Sequence, residues 1–153
     1  MYRKILVPLD GSNLAECAIE HAKEIARGCN VPEIELVTVV KTFFWWEGEV
    51  TDPSIYERVE EDERSRAKEY LAKEKKEFER EGLTVNTVIL EGNAAQAIID
   101  YAEKYGVDLI LMTTHGRSGI SHFALGSVTD KVVRTVSMPV LVIAPPGCRV
   151  SVA

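Results

Sequence analysis

The sequence predicts a single α/β domain built on a parallel, doubly wound sheet with helices on both faces. Short apolar runs rich in β-branched residues alternate along the chain with longer segments whose apolar residues recur every three or four positions. Strands separated in this way by helices pair in parallel through right-handed crossovers. At 153 residues, of which 46% are hydrophobic, the chain fits one domain with a sizeable core.

Five apolar runs are predicted to be strands, namely residues 4–9, 34–40, 85–90, 107–112 and 140–144. The fourth, VDLILM, is an almost continuous apolar run that is too short to span a membrane. Such runs are typical of a strand buried on both faces of a parallel sheet. We therefore expect the fourth strand to lie at the centre.

Four helices are predicted between the strands. The residues that start and stop them are Ser12 and Gly28, 56 and 81, Asn93 and Gly106, and Ser127 and Pro139. Ser12 and Ser127 are interpreted as N-caps, and Asn93 with Gln96 resembles a capping box. In the second helix, carboxylates such as Glu74 beside Lys73 are interpreted as a solvated face.

The connection formed by residues 41–55 carries both tryptophans and two of the four phenylalanines. A connection of this length in a compact domain is commonly a lid or a partner-binding segment. Packing of its aromatic side chains against the long helix that follows is the alternative. The sequence leaves both open.

Composition excludes several classes of function. With 18 Lys and Arg against 24 Asp and Glu, the formal charge of -6 argues against a nucleic-acid-binding or membrane-binding surface. The first ten residues run directly into a strand, so neither a signal peptide nor a transmembrane helix is visible and a cytoplasmic location is expected. Three cysteines without CxxC spacing and three scattered histidines predict neither disulfides nor a structural metal.

The segment after the fourth strand has the composition of an anion-binding loop. Residues 113–119, TTHGRSG, combine glycines, hydroxyls and potential cations. Gly126 and Ser127 follow, and the first amides of the helix beginning there would add to the same site. Phosphate is the expected anion.

Asp10 stands at the carboxyl end of the first strand. Its alternatives are a turn aspartate that supports the first helix and a residue that recognises a ribose or base. Ligands of doubly wound sheets bind at the carboxyl ends of the strands, where the winding reverses. If strands one and four are central neighbours, Asp10, Val39 and residues 113–127 converge on that crevice.

Five segments distributed over nearly the whole chain resemble the universal stress protein family: KILVPLDGS, ELVTVV, DLILMTTHGRSG, LGSVTDKVVR and MPVLVIAPP. The resemblance implies one domain over residues 1–147, a short tail at 148–153 and the sheet order 3-2-1-4-5. In nucleotide-binding members of the family, a G-x-x-G-x9-G-[ST] motif holds ATP. Gly116, Gly126 and Ser127 match its second half, whereas Thr113 stands where the first glycine belongs.

Carried over position by position, the resemblance implies a complete nucleotide site. Asp10 would meet the ribose and adenine side, Pro8 and Val39 would line the base, and Met112 would lie beneath it. The residues expected around the phosphates are Thr113, His115, Gly116, Arg117, Gly119, Gly126, Ser127 and Val128.

The expected function is an ATP-binding regulatory module with slow or no hydrolysis. No GxxxxGK[ST] motif is present, and no loop carboxylate is placed to activate water, so no catalytic residue is assigned. ATP would bind alone or with magnesium. A nucleotide-free dimeric interaction protein of the same family is the alternative, followed by a weak ATPase. A homodimer through the last strand, residues 139–144, is expected because that apolar strand would otherwise be an open edge.

Overall fold

The computed structural model describes residues 1–42, 52–114 and 125–144, and its elements alternate strictly between strand and helix. In chain order they are β1 (Lys4–Pro8), α1 (Asn13–Cys29), β2 (Glu33–Val40), α2 (Pro53–Arg80), β3 (Val85–Glu91), α3 (Ala94–Lys104), β4 (Leu109–Thr113), α4 (Ser127–Thr135) and β5 (Val140–Ile143). The strands form one sheet of order β3-β2-β1-β4-β5, and every pairing is parallel. The predicted fold class and strand order are therefore confirmed.

The winding of the sheet reverses between β1 and β4. β1 pairs with β2 through Lys4↔Glu33 to Pro8↔Val37, and with β4 through Ile5↔Leu109 and Leu6↔Ile110. The chain moves outward to β2 and β3, then crosses to β4 and β5 on the other side. The carboxyl ends of β1 and β4 consequently separate the two halves of the fold, which is where a ligand crevice is expected.

Two hydrophobic cores lie on opposite faces of the sheet. One core packs α1 and α2 against alternate strand positions such as Ile5, Leu36 and Leu111. The other core packs α3 and α4 against strand residues on the opposite face, such as Leu6, Val37 and Ile110. All five residues of β4 are buried, so the prediction that this strand is central and covered on both faces is confirmed.

Several helix boundaries in the structure differ from the predicted ones. Ser12 does cap α1, since its side chain accepts a hydrogen bond from the amide of Ala15. The predicted stop at Gly28 is wrong: α1 continues to Cys29, and Asn30 ends it in the left-handed conformation with φ 51°. The predicted connection 41–55 is too long, because α2 begins at Pro53. Residues 43–51, which carry the aromatic residues for which a lid and a packing role were the alternatives, lie outside the described residues.

One face of α2 carries a buried carboxylate. Leu71 and Phe78 are buried, and Glu74 is only 6% exposed, because it lies three residues after the first and four before the second on the same face. The prediction that Glu74 belongs to a solvated face is wrong. Burial, followed by the nearby charge of Glu16, raises the pKa of Glu74 above its ordinary value. Burial also raises the pKa of the neighbouring Tyr70 phenol.

We expect Glu74→Gln to stabilise the protein at neutral pH. When folding raises the pKa of a carboxyl group, the protonated group stabilises the folded state fully at pH values below its ordinary pKa of 4.5. This stabilisation is lost as the pH rises through the pKa of the folded state. The Tm of the variant at pH 7 should therefore exceed that of the wild type, by about 2–4 °C for each kcal/mol of stabilisation in a domain of this size. Its lost pair with Lys73 should matter little, since the Lys73 side chain is 73% exposed.

Thermal unfolding followed by circular dichroism between pH 4 and 8 checks this expectation. Glu69→Gln, which removes an exposed carboxylate from the same helix, is the matched control and should leave the profile unchanged. A Glu74→Gln profile parallel to that of the wild type at every pH would contradict the assignment.

Candidate functional site

A cleft of 950 Å³ opens at the carboxyl edge of the sheet. Its lining residues come from the exits of all three central strands and from the N-terminal parts of α1, α3 and α4. They are Pro8, Leu9, Asp10, Ala15, Val37, Val39, Lys41, Thr42, Gly92, Asn93, Ala94, Ala95, Ile98, Met112, Thr113, Gly126, Ser127, Val128, Thr129 and Lys131. The cleft therefore follows the reversal of winding between β1 and β4.

Eight of the predicted site residues line this cleft together: Pro8, Asp10, Val39, Met112, Thr113, Gly126, Ser127 and Val128. The other four, His115, Gly116, Arg117 and Gly119, lie outside the described residues. Residues distant by more than 100 positions in the chain thus meet in one cavity.

The exit of β1 is held by a dense set of hydrogen bonds. The Leu9 amide donates to the carbonyl of Val37 at 2.8 Å, and the buried hydroxyl of Thr38 donates to the Leu9 carbonyl at 2.9 Å. Asp10 follows, and its Oδ1 accepts bonds from the amide and hydroxyl of Ser12 at 2.9 and 2.6 Å. Asp10 is therefore a turn aspartate that supports α1 and also a wall of the cleft.

The exit of β4 is held in a similar way. Thr113 is 6% exposed, and its carbonyl accepts a bond from the buried hydroxyl of Thr129 at 2.8 Å. The Thr114 amide donates to the carbonyl of Ile143 at 3.0 Å, and the Thr114 carbonyl accepts from the Gly126 amide at 2.5 Å. The start of α4 is consequently bonded directly to the end of β4.

Thr113 lies in the strand with ordinary extended backbone. Among the described residues, Asn30 is the non-glycine residue with positive φ, so Thr113 does not occupy the left-handed region. A glycine is not required at this position for backbone reasons. Its replacement by threonine changes only the space and the chemistry at the floor of the cleft.

The start of α4 differs from the prediction by one residue. Gly126, with φ -54° and ψ 151°, is the N-cap, and Ser127 is already the first helical residue. The prediction that the Ser127 side chain caps the helix is therefore wrong. The side chains of the N-cap residues bond to first-turn amides in α1, α2 and α3, whereas the N-cap of α4 is a glycine and has no side chain to do so. The first amides of α4 thus border the cleft without a capping oxygen of their own helix.

The cleft combines an apolar wall with two lysines. Pro8, Val39 and Met112 supply apolar surface, and Lys41 and Lys131 line the same cavity. The sequence prediction missed both lysines. Lys41 directly follows β2, and Lys131 is one helical turn after Ser127, so the position of each relative to a strand end or helix start was the available signal.

A second depression of 530 Å³ lies at the opposite edge of the sheet, beside Val107, Asp108 and Pro139. The Asp108 carboxylate there accepts bonds from the backbone amides of Arg3 and Lys4 at 2.9 to 3.2 Å. Its polar group is thus used to join β4 to β1. This edge offers no counterpart to the first turn of α4, so the carboxyl-edge cleft is the candidate site.

Within residues 1–42, 52–114 and 125–144, no three His, Cys, Asp or Glu side chains are grouped so that they could hold a metal ion. Over the same ranges, no helix has the length and apolar character needed to cross a membrane.

A family model for the Universal stress protein family matches residues 1–144. The chain belongs to the universal stress protein family. Universal stress protein MJ0531 of Methanocaldococcus jannaschii is 35% identical over 147 residues, which cover 95% of this chain and 84% of the relative. Universal stress protein MJ0577 of the same organism is 33% identical over 160 residues, with 94% and 95% covered.

Solved structures show the same fold. The structure of MJ0577 has a TM-score of 0.81 at 33% identity and covers 94% of this chain and 96% of its own. A universal stress protein family member from Arabidopsis thaliana, with AMP bound, has a TM-score of 0.68 at 17% identity, with 93% and 91% covered. At that identity the Arabidopsis protein shows a shared fold alone.

Proposed function

We propose that this universal stress protein binds an adenine nucleotide in the carboxyl-edge cleft and acts as a cytoplasmic regulatory module. ATP is the first candidate for this nucleotide and AMP is the second. The observation that carries the proposal is the meeting of Asp10 and the start of α4, whose N-cap is a glycine, in one cleft at the reversal of winding. A nucleoside needs an acceptor for its ribose and an apolar slot for its base, and its phosphates need amides or cations. The cleft offers each of these.

The adenosine part would occupy the end of the cleft beside β1 and β2. Pro8, Val39 and Met112 provide apolar surface on which a base can pack. Asp10 provides a carboxylate whose position is fixed by its two bonds to Ser12. A fixed acceptor binds a ribose hydroxyl with little loss of side-chain entropy.

The phosphates would lie against the first turn of α4. Gly126, Ser127 and Val128 line the cleft, and backbone amides at a helix start carry partial positive charge. Lys131 adds a full positive charge one turn later. His115, Gly116, Arg117 and Gly119 would complete the phosphate side, as the family motif implies. Magnesium, where present, would be held by the phosphates and water rather than by a carboxylate cage.

Slow or no hydrolysis is part of the proposal. Asp10 is the carboxylate among the described lining residues, and it already accepts two hydrogen bonds from Ser12. In the proposed arrangement Asp10 binds the ribose, whereas a general base for hydrolysis would have to reach a water beside the terminal phosphate. The cleft is therefore suited to holding a nucleotide and signalling its presence, and a weak ATPase is a lesser alternative.

Nucleotide released from the freshly purified, denatured protein tests the proposal. We expect adenine nucleotide near one equivalent per chain by absorbance and mass, or uptake of ATP by an emptied protein. Gly126→Val should abolish binding, because its side chain would occupy the phosphate space, while φ -54° remains open to valine and the domain folds.

Gly28→Val is the matched control, since a side chain at Gly28 of α1 meets open space. It should bind nucleotide like the wild type. A folded Gly126→Val protein with unchanged ATP affinity would refute the placement of the phosphates, and a wild-type protein without nucleotide or ATP uptake would refute the proposal itself.

Thr113→Gly should change ATP affinity by about tenfold or less, which corresponds to about 1.4 kcal/mol or less. Thr113 has extended backbone, so restoring the motif glycine gains only space, while its hydroxyl is lost as a phosphate partner. Thr113→Val keeps the shape without the hydroxyl and separates the two effects. Isothermal titration with ATP and magnesium decides: clear heat for Thr113→Gly and none for wild type would mean that threonine closes the site.

We also propose a homodimer through β5. β5 is an edge strand, and Leu141 in its middle is 39% exposed. Antiparallel pairing of two edges would satisfy the open backbone groups and cover this side chain. The same surface supports the alternative function, a nucleotide-free dimeric interaction protein.

Light scattering at micromolar concentration should give twice the chain mass, and Leu141→Lys should give a monomer. Ile55→Lys changes a side chain that is 50% exposed on α2 and should leave the dimer intact. A wild-type monomer, with or without ATP, would overturn the proposed dimer.

A further inference from the structure

Two buried threonines, Thr38 and Thr129, each bond to the main chain at the exit of a central strand. Thr38 is 7% exposed and Thr129 is 4% exposed. The Thr38 hydroxyl donates to the Leu9 carbonyl at 2.9 Å, across 29 residues of chain. The Thr129 hydroxyl donates to the Thr113 carbonyl at 2.8 Å, across 16 residues.

The bond from Thr129 is not the one that a helical threonine usually makes. In a helix, a threonine hydroxyl usually bonds to the carbonyl three or four residues earlier in the same helix. Thr129 lies in the first turn of α4 but bonds to β4 instead. The two acceptors, Leu9 and Thr113, are the residues at which β1 and β4 deliver the chain to the cleft.

The consequence is a fixed geometry on both sides of the cleft. Leu9 immediately precedes Asp10, so the Thr38 bond orients the segment that presents the carboxylate. The Thr129 bond and the bond from the Gly126 amide to the Thr114 carbonyl tie the first turn of α4 to the end of β4. Each side of the cleft is then held by its own buried bonds, and the pairing of β1 with β4 joins the two sides.

We propose that Thr38 and Thr129 are positioning residues that hold the two halves of the cleft in the nucleotide-binding geometry. This inference rests on the proposed function. Neither hydroxyl needs to touch the nucleotide, since each acts through the backbone that it holds. A site held in this way binds its ligand without the cost of ordering the strand exits.

The test compares isosteric and conservative variants by isothermal titration with ATP and magnesium chloride. Thr129→Val keeps the shape but loses the hydroxyl, and we expect ATP affinity to fall by about tenfold or more. Thr129→Ser keeps the hydroxyl and should restore affinity to within about twofold of the wild type. Thr38→Val and Thr38→Ser should behave in the same way.

Exposed threonines provide the matched controls. Thr135→Val, at the end of α4, and Thr87→Val, on β3, change residues of the same type at exposed positions, and both should bind ATP like the wild type. In the absence of nucleotide, amide hydrogen exchange at Gly126 should be faster in Thr129→Val and normal in Thr129→Ser. If Thr129→Val does not fold, Thr129→Ala replaces it with the same expectation.

The outcomes separate the inference from the function on which it rests. Wild-type protein that binds no nucleotide overturns both. Wild-type protein that binds ATP, together with folded valine variants of unchanged affinity, overturns the inference alone. Serine variants as weak as the valine variants also overturn it, because the loss would then come from packing rather than from the hydroxyl.

Discussion

The pairing of β1 with β4 is the constraint on which the rest of the structure depends. Ile5↔Leu109 and Leu6↔Ile110 join two strands that are separated by about a hundred residues of chain. Since β1 also pairs with β2, the crossovers after β1 and β4 leave the sheet toward opposite faces, and the strand exits between them cannot be covered by either helix layer. The position of the cleft is therefore determined by the order and direction of the strands and not by particular side chains.

The helix layer on one face is fastened by a buried cation. Lys23 of α1 is 4% exposed, and its ammonium bonds to Glu20 at 2.9 Å and to Glu81 at 2.8 Å, above the ring of Phe78 at 5.4 Å. A buried charge is tolerated because it is paired in this way. These contacts of Lys23 with Phe78 and Glu81 lie at the C-terminal end of α2. The buried residues of that helix begin only at Ala67. Its first half therefore adds length without contributing to the core.

The strands could be predicted from the residues because apolar runs are local features of the sequence. The strand order, and with it the position of the crevice, came from the resemblance to the family. Prediction from the sequence failed where a distant partner decides. Ser127 has the better side chain for a cap, but the bond from Gly126 to Thr114 across the loop makes Gly126 the cap. Glu74 is a residue type common on surfaces, but its spacing places it on the same helix face as the buried Leu71 and Phe78, and it is buried with them. Lys41 was missed although it directly follows the second predicted strand, because which strand exits line the cleft depends on the order of the strands in the sheet.

Position 113, where this chain has threonine in place of the motif glycine, must meet two structural requirements: it belongs to a strand and it borders the cleft. As part of β4, position 113 pairs with Ile143 of β5, and a β-branched residue suits such a strand position better than glycine. As part of the cleft floor, the same position must leave room for a ligand. The carbonyl that Thr129 holds belongs to the backbone, so it is available whichever side chain stands there. The geometry of the strand exit is thus independent of the motif residue, and the threonine affects only the space and the hydrogen-bonding chemistry above it.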